Sequence, residues 1–248
     1  MPLSPRRVLR TFKFKYVMYF NGVSSYVSVA DNPSISIPGD YTICLWFAFT
    51  KTPSPPQVMS SKWYKDPKVY YIGYFPSGVI SHYRTDSAGT HYYAYWYLTL
   101  SLYTWYHVCG VTRGTTLEIW GNGVLKGTGR FPGVSTVGSG NLEFGRNDGF
   151  SQYFPGYIAN VLLYSRALSD SEILWNYQNF DNPVRNGLVL WLKADPQYVK
   201  DIDGDGILEW IDLSGYGNHG KIYGAQLVQL IKTPVRALKP VRVLKPAR

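Results

Sequence analysis

A chain of 248 residues accommodates one large β domain, or a domain with an appendage. Its 22 Tyr, 8 Trp, 24 Gly and 16 Pro favour many short strands punctuated by turns. No apolar run approaches the ~20 residues of a membrane-spanning helix, so no such span is expected. The net charge of +9 belongs to the two ends: residues 1–15 and 232–248 hold 11 cations and no acid, leaving 14 basic against 16 acidic residues between them. The chain reads as a near-neutral body with two cationic arms, of a kind that binds nucleic acid or an acidic protein surface.

The first arm, residues 1–15, carries Arg6 and Arg7. It is basic without an apolar core, so no secretory signal is expected. From Tyr16 the chain reads as a strand, a turn at Asn21-Gly22, a strand, a turn at Asp31-Asn32-Pro33, and a strong strand over Tyr41–Phe49. Residues 53–56 read as a loop. Further alternating segments are expected over 69–75, 79–84, 91–100, 105–112, 117–120, 141–145 and 157–164, with a hairpin turn at Asn122-Gly123. About a dozen strands predict an all-β fold, a two-sheet antiparallel jelly-roll sandwich with one short helix and extended terminal arms. That helix starts at Ser169, which forms a capping box with Glu172 and has Ile173, Leu174 and Tyr177 as its apolar side.

A linker over 182–186 leads to the most specific chemistry, in the stretch Gly187–Ala225. Asp201, Asp203, Asp205, Gly206, Glu209 and Asp212 stand at positions 1, 3, 5, 6, 9 and 12 of a calcium loop, and the carbonyl of Ile207 falls at position 7. Alternate carboxylates on a tight turn supply the oxygens that a hard cation needs, and Gly206 permits the turn. Asp at position 12 is shorter than the usual Glu, which weakens bidentate closure. The plain alternative is an Asp/Gly-rich surface turn. A strand before the loop and Gly-rich turns after it stand where EF-hand helices would be. A structural Ca2+ that clips strands together is therefore expected, rather than a sensor. The tail then repeats with a period of six from Pro234, and Pro5 begins a single N-terminal copy. Regular Pro excludes a stable helix or a central strand and leaves extended structure. The alternatives are a solvated basic tail, or an arm that packs Val235, Leu238, Val241 and Leu244 into a groove of a neighbouring copy while Arg236 and Arg242 stay wet.

The segments YFNGVSSYVSV, YTICLWFAF, WYHVCGV, LEIWGNGVLKG, FGRNDGF and PGYIANVLLYSRALSDSEI resemble, in order, the landmarks of laminin-G-like and pentraxin-like domains over residues 16–178. The resemblance implies a concanavalin A-like sandwich. It also implies a disulfide between Cys44 and Cys109, the alternative being two buried free thiols. A disulfide would suggest an oxidising environment or a hyperthermophile. The pentraxin calcium cluster would align at Gly145-Arg146-Asn147-Asp148, where Arg146 interrupts it, so pentraxin ligand binding is not carried over. A stretch like Gly187–Ala225 usually precedes such a domain and here follows it. Either it folds back onto its own sandwich, or it completes a neighbouring subunit. The expected organisation is a basic arm (1–15), a sandwich (16–180), a calcium-loop and strand segment (181–231) and a Pro-repeat arm (232–248).

Four functions follow as expectations. The first is a non-enzymatic structural subunit of identical copies, assembled through arms or strand exchange into a filament, surface layer or virion component, hence at an extracellular surface or in a virion. The alternative is a calcium-dependent carbohydrate-binding or adhesion module, with a glycan partner and Trp63, Tyr64, Tyr92, Tyr93, Tyr95, Trp96 and Tyr97 as stacking faces, although strand aromatics more often fill cores. Catalysis is disfavoured: Glu118 and Glu143 each stand alone, and His82, His91, His107 and His219 have no evident nucleophile partner. Nucleic-acid binding by the arms is a minor expectation, because no reading module accompanies them.

Overall fold

The computed structural model describes residues 14–53, 56–62, 69–133, 135, 138–147, 150 and 152–230. The proposed arm contacts, Arg6, Arg7, Val235, Arg236, Leu238, Val241, Arg242 and Leu244, lie outside the described residues, as do Trp63, Tyr64 and Asp148.

Turn residues divide the chain into short strands. In order these are β1 (Tyr16–Asn21), β2 (Tyr26–Val29), β3 (Tyr41–Phe49), β4 (Gln57–Lys62), β5 (Tyr70–Phe75), β6 (Val79–Thr85) and β7 (His91–Tyr97). There follow β8 (Tyr106–Arg113), β9 (Thr116–Gly121), β10 (Val124–Arg130), β11 (Leu142–Phe144), β12 (Arg146–Asn147), β13 (Gln152–Tyr153) and β14 (Pro155–Tyr164). After helix α1 (Asp170–Gln178) come β15 (Leu188–Lys193), β16 (Val199–Lys200), β17 (Glu209–Trp210), β18 (Gly220–Tyr223) and β19 (Gln226–Gln229). The Asn122-Gly123 signal between β9 and β10 is a true hairpin turn, with φ of 53° and 78° at the two residues. Positive φ at both central positions matches the twist of the flanking strands.

Two antiparallel sheets result. One runs β10-β9-β8-β3-β14-β1-β19, with β15 also on β14; the other runs β16-β17-β18-β2-β11-β4-β5-β6-β7. The stretch that sequence order left homeless pairs within its own chain: β15 with β14, β18 with β2 and β19 with β1. Folded as a single chain, the stretch takes the fold-back alternative, and its strands need no neighbour to pair.

Alternation explains the layers. Val27, Val29, Leu142, Phe144, Ile72, Ile80 and Trp96 of the nine-stranded sheet face Ile43, Leu45, Phe47, Phe49, Ile158 and Val161 of the other across one core. All nine residues of β3 are buried, because α1 and the loops around it cover its second face. There Cys44 and Cys109 stand opposite each other on β3 and β8, bonded at an S–S distance of 2.04 Å, in a cluster with Leu162, Trp191 and Ile173 of α1. The capping box forms as expected, Glu172 N–H donating to Ser169 Oγ and Ser169 N–H to Glu172 Oε2. Leu174 departs from expectation and is exposed. The helix instead buries Asn176, whose amide donates to Tyr164 Oη and accepts from Val184 N–H. Strand β4 has no apolar alternation to announce it, yet it lies buried mid-sheet with Lys62 paired to Asp31 at 2.6 Å.

The sandwich closes along one side where β7, an end strand of one sheet, meets β10, an end strand of the other. A Cβ on Gly127 or Gly129 would overlap the carbonyl oxygens of Tyr95 or Tyr93. The two glycines let backbone approach backbone, and they cover an edge that could otherwise accept another strand.

Candidate functional site

The outer face of the nine-stranded sheet carries the chemistry. Register alone builds a row across it: Glu209 opposite Lys221, then Ser28, Glu143, Ser61, Tyr71, Tyr83 and Tyr93. One end of the row is acidic and the other aromatic. The β12–β13 hairpin lies between them, against β4 and β11.

At the aromatic end, alternation turns Tyr71 and Phe75 of β5, Tyr83 of β6, and Tyr93, Tyr95 and Tyr97 of β7 outward. The rings are neighbours: Tyr71–Tyr83 centroids are 5.4 Å apart, Phe75–Tyr83 5.9 Å, Tyr83–Tyr93 5.1 Å and Tyr93–Tyr95 5.0 Å. The hairpin supplies the polar wall. Ser61 Oγ donates to Asn147 Oδ1, and Asn147 Nδ2 donates to Gln152 Oε1, each at 3.2 Å. Between wall and rings is a cavity of about 180 Å³ lined by Tyr71, Phe75, Tyr83, Asn147, Phe150 and Gln152. Phe150 stands 55% exposed at its rim. Burial raises the Tyr71 and Tyr83 hydroxyl pKa values, so both rings stay neutral at physiological pH. Apolar walls with a few fixed polar groups are the usual makeup of a small-ligand site.

Of the aromatics that the sequence suggested, Tyr93, Tyr95 and Tyr97 face outward. Tyr92 and Trp96 do not: Trp96 lies in the core, and Tyr92 packs against it, edge-on to Phe131. Their even positions on β7 put them on the inward face. Tyr71, Phe75, Tyr83 and Phe150 escaped sequence reasoning. The alternation of β5 and β6 was the available signal, but it does not say which face carries a hairpin.

At the other end, Asp201, Asp203, Asp205 and Glu209 bring one carboxylate oxygen each to within 4.8 Å of one another. Asp201 accepts from Gly204 N–H and Gly206 N–H at 2.8 and 3.0 Å, and Asp205 accepts from Ile207 N–H at 2.8 Å. Glu209 Oε2 accepts from Ile202 N–H at 3.0 Å. A built-in cation is present: Lys221 Nζ donates to Asp203 at 2.9 Å and also to Asp205, which raises the lysine pKa and lowers that of Asp203. Asp212, expected to close the loop, lies apart. Its carboxylate accepts from Trp191 N–H, Ser214 N–H, Ser214 Oγ and Asn218 N–H, and its own N–H donates to His219. Four donors fill the oxygens that a twelfth-position ligand would need, so Asp212 is a turn organiser.

Arg146, which interrupts the pentraxin-like acidic cluster, pairs with Glu143 at 2.9 Å and lies 3.5 Å over the Tyr26 ring, itself stacked on Tyr223. Glu118 sits on the other sheet and is held by Arg113 and Trp120. The two glutamates thus belong to different sheets, each engaged, and form no carboxylate pair. His82 is buried between Tyr41 and the Glu118 carbonyl, away from the outer face.

The sequence profile of the concanavalin A-like lectin/glucanases superfamily matches residues 21–174, more than half of the chain. The chain belongs to this superfamily. No curated protein matches its sequence. Several solved structures share the fold at low identity. A Bacteroides ovatus protein described as carbohydrate binding aligns with a TM-score of 0.65 and 18% identity, over 88% of this chain and 61% of its own. The present chain therefore spans under two thirds of that relative. The heptameric SAP-like pentraxin of Limulus polyphemus aligns with a TM-score of 0.52 and 16% identity, over 69% of this chain and 83% of its own. The binding domain of botulinum neurotoxin DC, solved with SialylT, aligns with a TM-score of 0.54 and 14% identity, over 68% and 43%.

Proposed function

We propose that this chain is a non-catalytic carbohydrate-binding module, working in an oxidising extracellular setting, whose ligand sits against Tyr71, Phe75 and Tyr83 beneath Phe150. The carrying observation is the cavity where neutral rings meet the amides of Asn147 and Gln152. A sugar offers apolar C–H faces and a rim of hydroxyls. Aromatic faces take the first, and amide groups that both donate and accept take the second. The fold and the described use of the Bacteroides ovatus relative support this reading over a self-assembling subunit, whose proposed arms lie outside the described residues. The Cys44–Cys109 bond suits an oxidising compartment. Glycan-array and affinity-gel measurements test the proposal. Phe150→Ala should weaken binding about tenfold with little change in melting temperature, since its ring is exposed. Silence toward every glycan would sink it.

A structural calcium ion at Asp201, Asp203, Asp205 and Glu209, with the Ile207 carbonyl, is a second part of the proposal. Four convergent carboxylates favour it, with Lys221 holding the same oxygens when no metal is bound. The ion would clip β16, β17 and β18. The row places it about four strand spacings, ~19 Å, from Tyr71, beyond reach of a sugar in the cavity. A melting temperature indifferent to calcium chloride and to EDTA would remove the ion from the proposal.

A further inference from the structure

The cavity beneath Phe150 is not the end of the aromatic surface. On β7, Tyr93, Tyr95 and Tyr97 follow at alternate positions, and outward neighbours on one strand stand ~7 Å apart. Tyr93 is 42% and Tyr97 78% exposed, well beyond what a cross-strand packing role requires. At the far end the rings reach a second cavity of about 500 Å³, whose lining includes Thr52, Tyr74, Ser77, Tyr97, Thr99 and Leu102. Phe75 lines the first cavity, and its chain neighbours Tyr74 and Pro76 line the second. Among the described residues, no charged side chain lines either cavity. The strand bearing the ladder is fixed from behind by Gly127 and Gly129, so the rings keep their spacing.

We propose that cavity, ladder and second cavity form one open-ended groove that takes an internal segment of a neutral polysaccharide, not a chain end or a charged glycan. The inference rests on the carbohydrate-binding reading. A row of rings at strand spacing offers successive faces, and only successive sugars can use them. A single sugar fills the cavity beneath Phe150 and leaves Tyr95 and Tyr97 in water. A groove of this kind lets the chain continue past the protein, whereas a blind pocket would select a terminus. The described wall groups are amides, hydroxyls and backbone, which suit hydroxyls and provide no counter-ion for a carboxylate or sulfate.

The test uses the full chain in affinity gels containing β-glucan, xylan, mannan or arabinan, with polygalacturonate as the acidic comparison. It continues by calorimetry with oligosaccharides of the retained polymer, from disaccharide to hexasaccharide. The hexasaccharide should bind at least about tenfold more tightly than the disaccharide, each further ring contact multiplying affinity roughly fivefold. Tyr97→Ala, at an exposed site that leaves folding intact, should lower hexasaccharide affinity roughly fivefold and leave disaccharide affinity unchanged. Phe150→Ala should weaken both. Equal affinity at all lengths, or a hexasaccharide affinity insensitive to Tyr97→Ala, overturns the groove while the site beneath Phe150 stands. Retention by polygalacturonate alone, lost on adding salt, overturns the neutral ligand class. Retention by no polymer, together with silence on the glycan array, overturns the carbohydrate reading and the groove with it.

Discussion

The two ends of the nine-stranded sheet share one face and one register, yet they dispose of their side chains in opposite ways. At the acidic end, the carboxylates of Asp201, Asp203, Asp205 and Glu209 accept from backbone N–H groups of their own loop, and Lys221 neutralises two of them. At the aromatic end, Tyr93, Tyr97 and Phe150 leave large apolar surface in water. Burying such surface is worth ~25 cal/mol per Å², so this end gains from a ligand what the other already has from its own lysine. Seven strand spacings, ~34 Å, separate the ends of the row, and the β12–β13 hairpin lies between them. Binding and clipping are thus separable on one face, and variants can be chosen to disturb one end alone.

The largest effect is expected from Gly129→Val. The new side chain would meet the Tyr93 carbonyl and the Ala94 amide, both backbone atoms that cannot swing aside. Separating β10 from β7 should cost about 2–3 kcal/mol in denaturant unfolding. It should also weaken glycan binding by displacing the strand that carries the ladder, while the calcium response of the acidic end persists. Unchanged stability would show that the closure between the sheets yields freely, and the fixed spacing of the ladder would lose its support.

That contrast also explains how much was legible in the sequence. The acidic loop lies within a dozen residues, so its spacing could be read directly. Asp212 stays outside the cluster, and a linear count cannot see that Ser214, Asn218 and Trp191 surround its carboxylate. The fold was equally accessible: the Asn122-Gly123 turn, the Ser169 capping box and the alternation of most strands are local signals. The aromatic cavity draws on β5, β6 and a hairpin some 70 residues later, and long-range pairing creates it. Residues 57–62 gave no sign of a strand either. Ser60 and Ser61 are buried through their sheet position, not through their polarity.

A smaller effect separates the two faces of a single strand. His82 and Tyr83 are consecutive on β6, one inward and one outward. Burial pushes the His82 pKa from 6.5 down to about 3, with its ring between Tyr41 and the Glu118 carbonyl. The unfolded chain therefore takes up this proton first as pH falls. The stability that His82 contributes is complete above pH ~6.5 and is lost progressively toward pH ~3. By pH 4.5 the loss should reach about 2–3 kcal/mol. His82→Gln should be less stable at pH 7 but show a shallower decline between pH 6.5 and 4.5, read from urea midpoints at each pH. Glycan affinity of the folded wild type should hold over that range, because the raised pKa values of Tyr71, Tyr83 and Tyr95 keep those hydroxyls neutral there. Parallel declines for both proteins would show that His82 is not the acid-sensitive group.

The smallest effect, and the sharpest test of the acidic end, is expected from Lys221→Gln. Lys221 is one-third exposed, and its ammonium lies between Asp203 and Asp205, where a cation bridging these carboxylates must also lie. Two positive charges cannot share that space, so a calcium ion would enter only by displacing the lysine, and its apparent affinity would be lowered by that competition. Lys221→Gln removes the competitor and keeps a donor. Without metal, the variant should melt slightly below wild type at low salt, because the carboxylates then repel one another. With calcium, its melting temperature should rise by more than that of wild type, and its calorimetric affinity for the ion should be several-fold higher. Binding to the polysaccharide should not change. If Lys221→Gln leaves the calcium response as it was, the lysine does not guard an ion site. The acidic loop is then a turn that carries its own counter-ion, and only the aromatic end of the face remains a site for an external ligand.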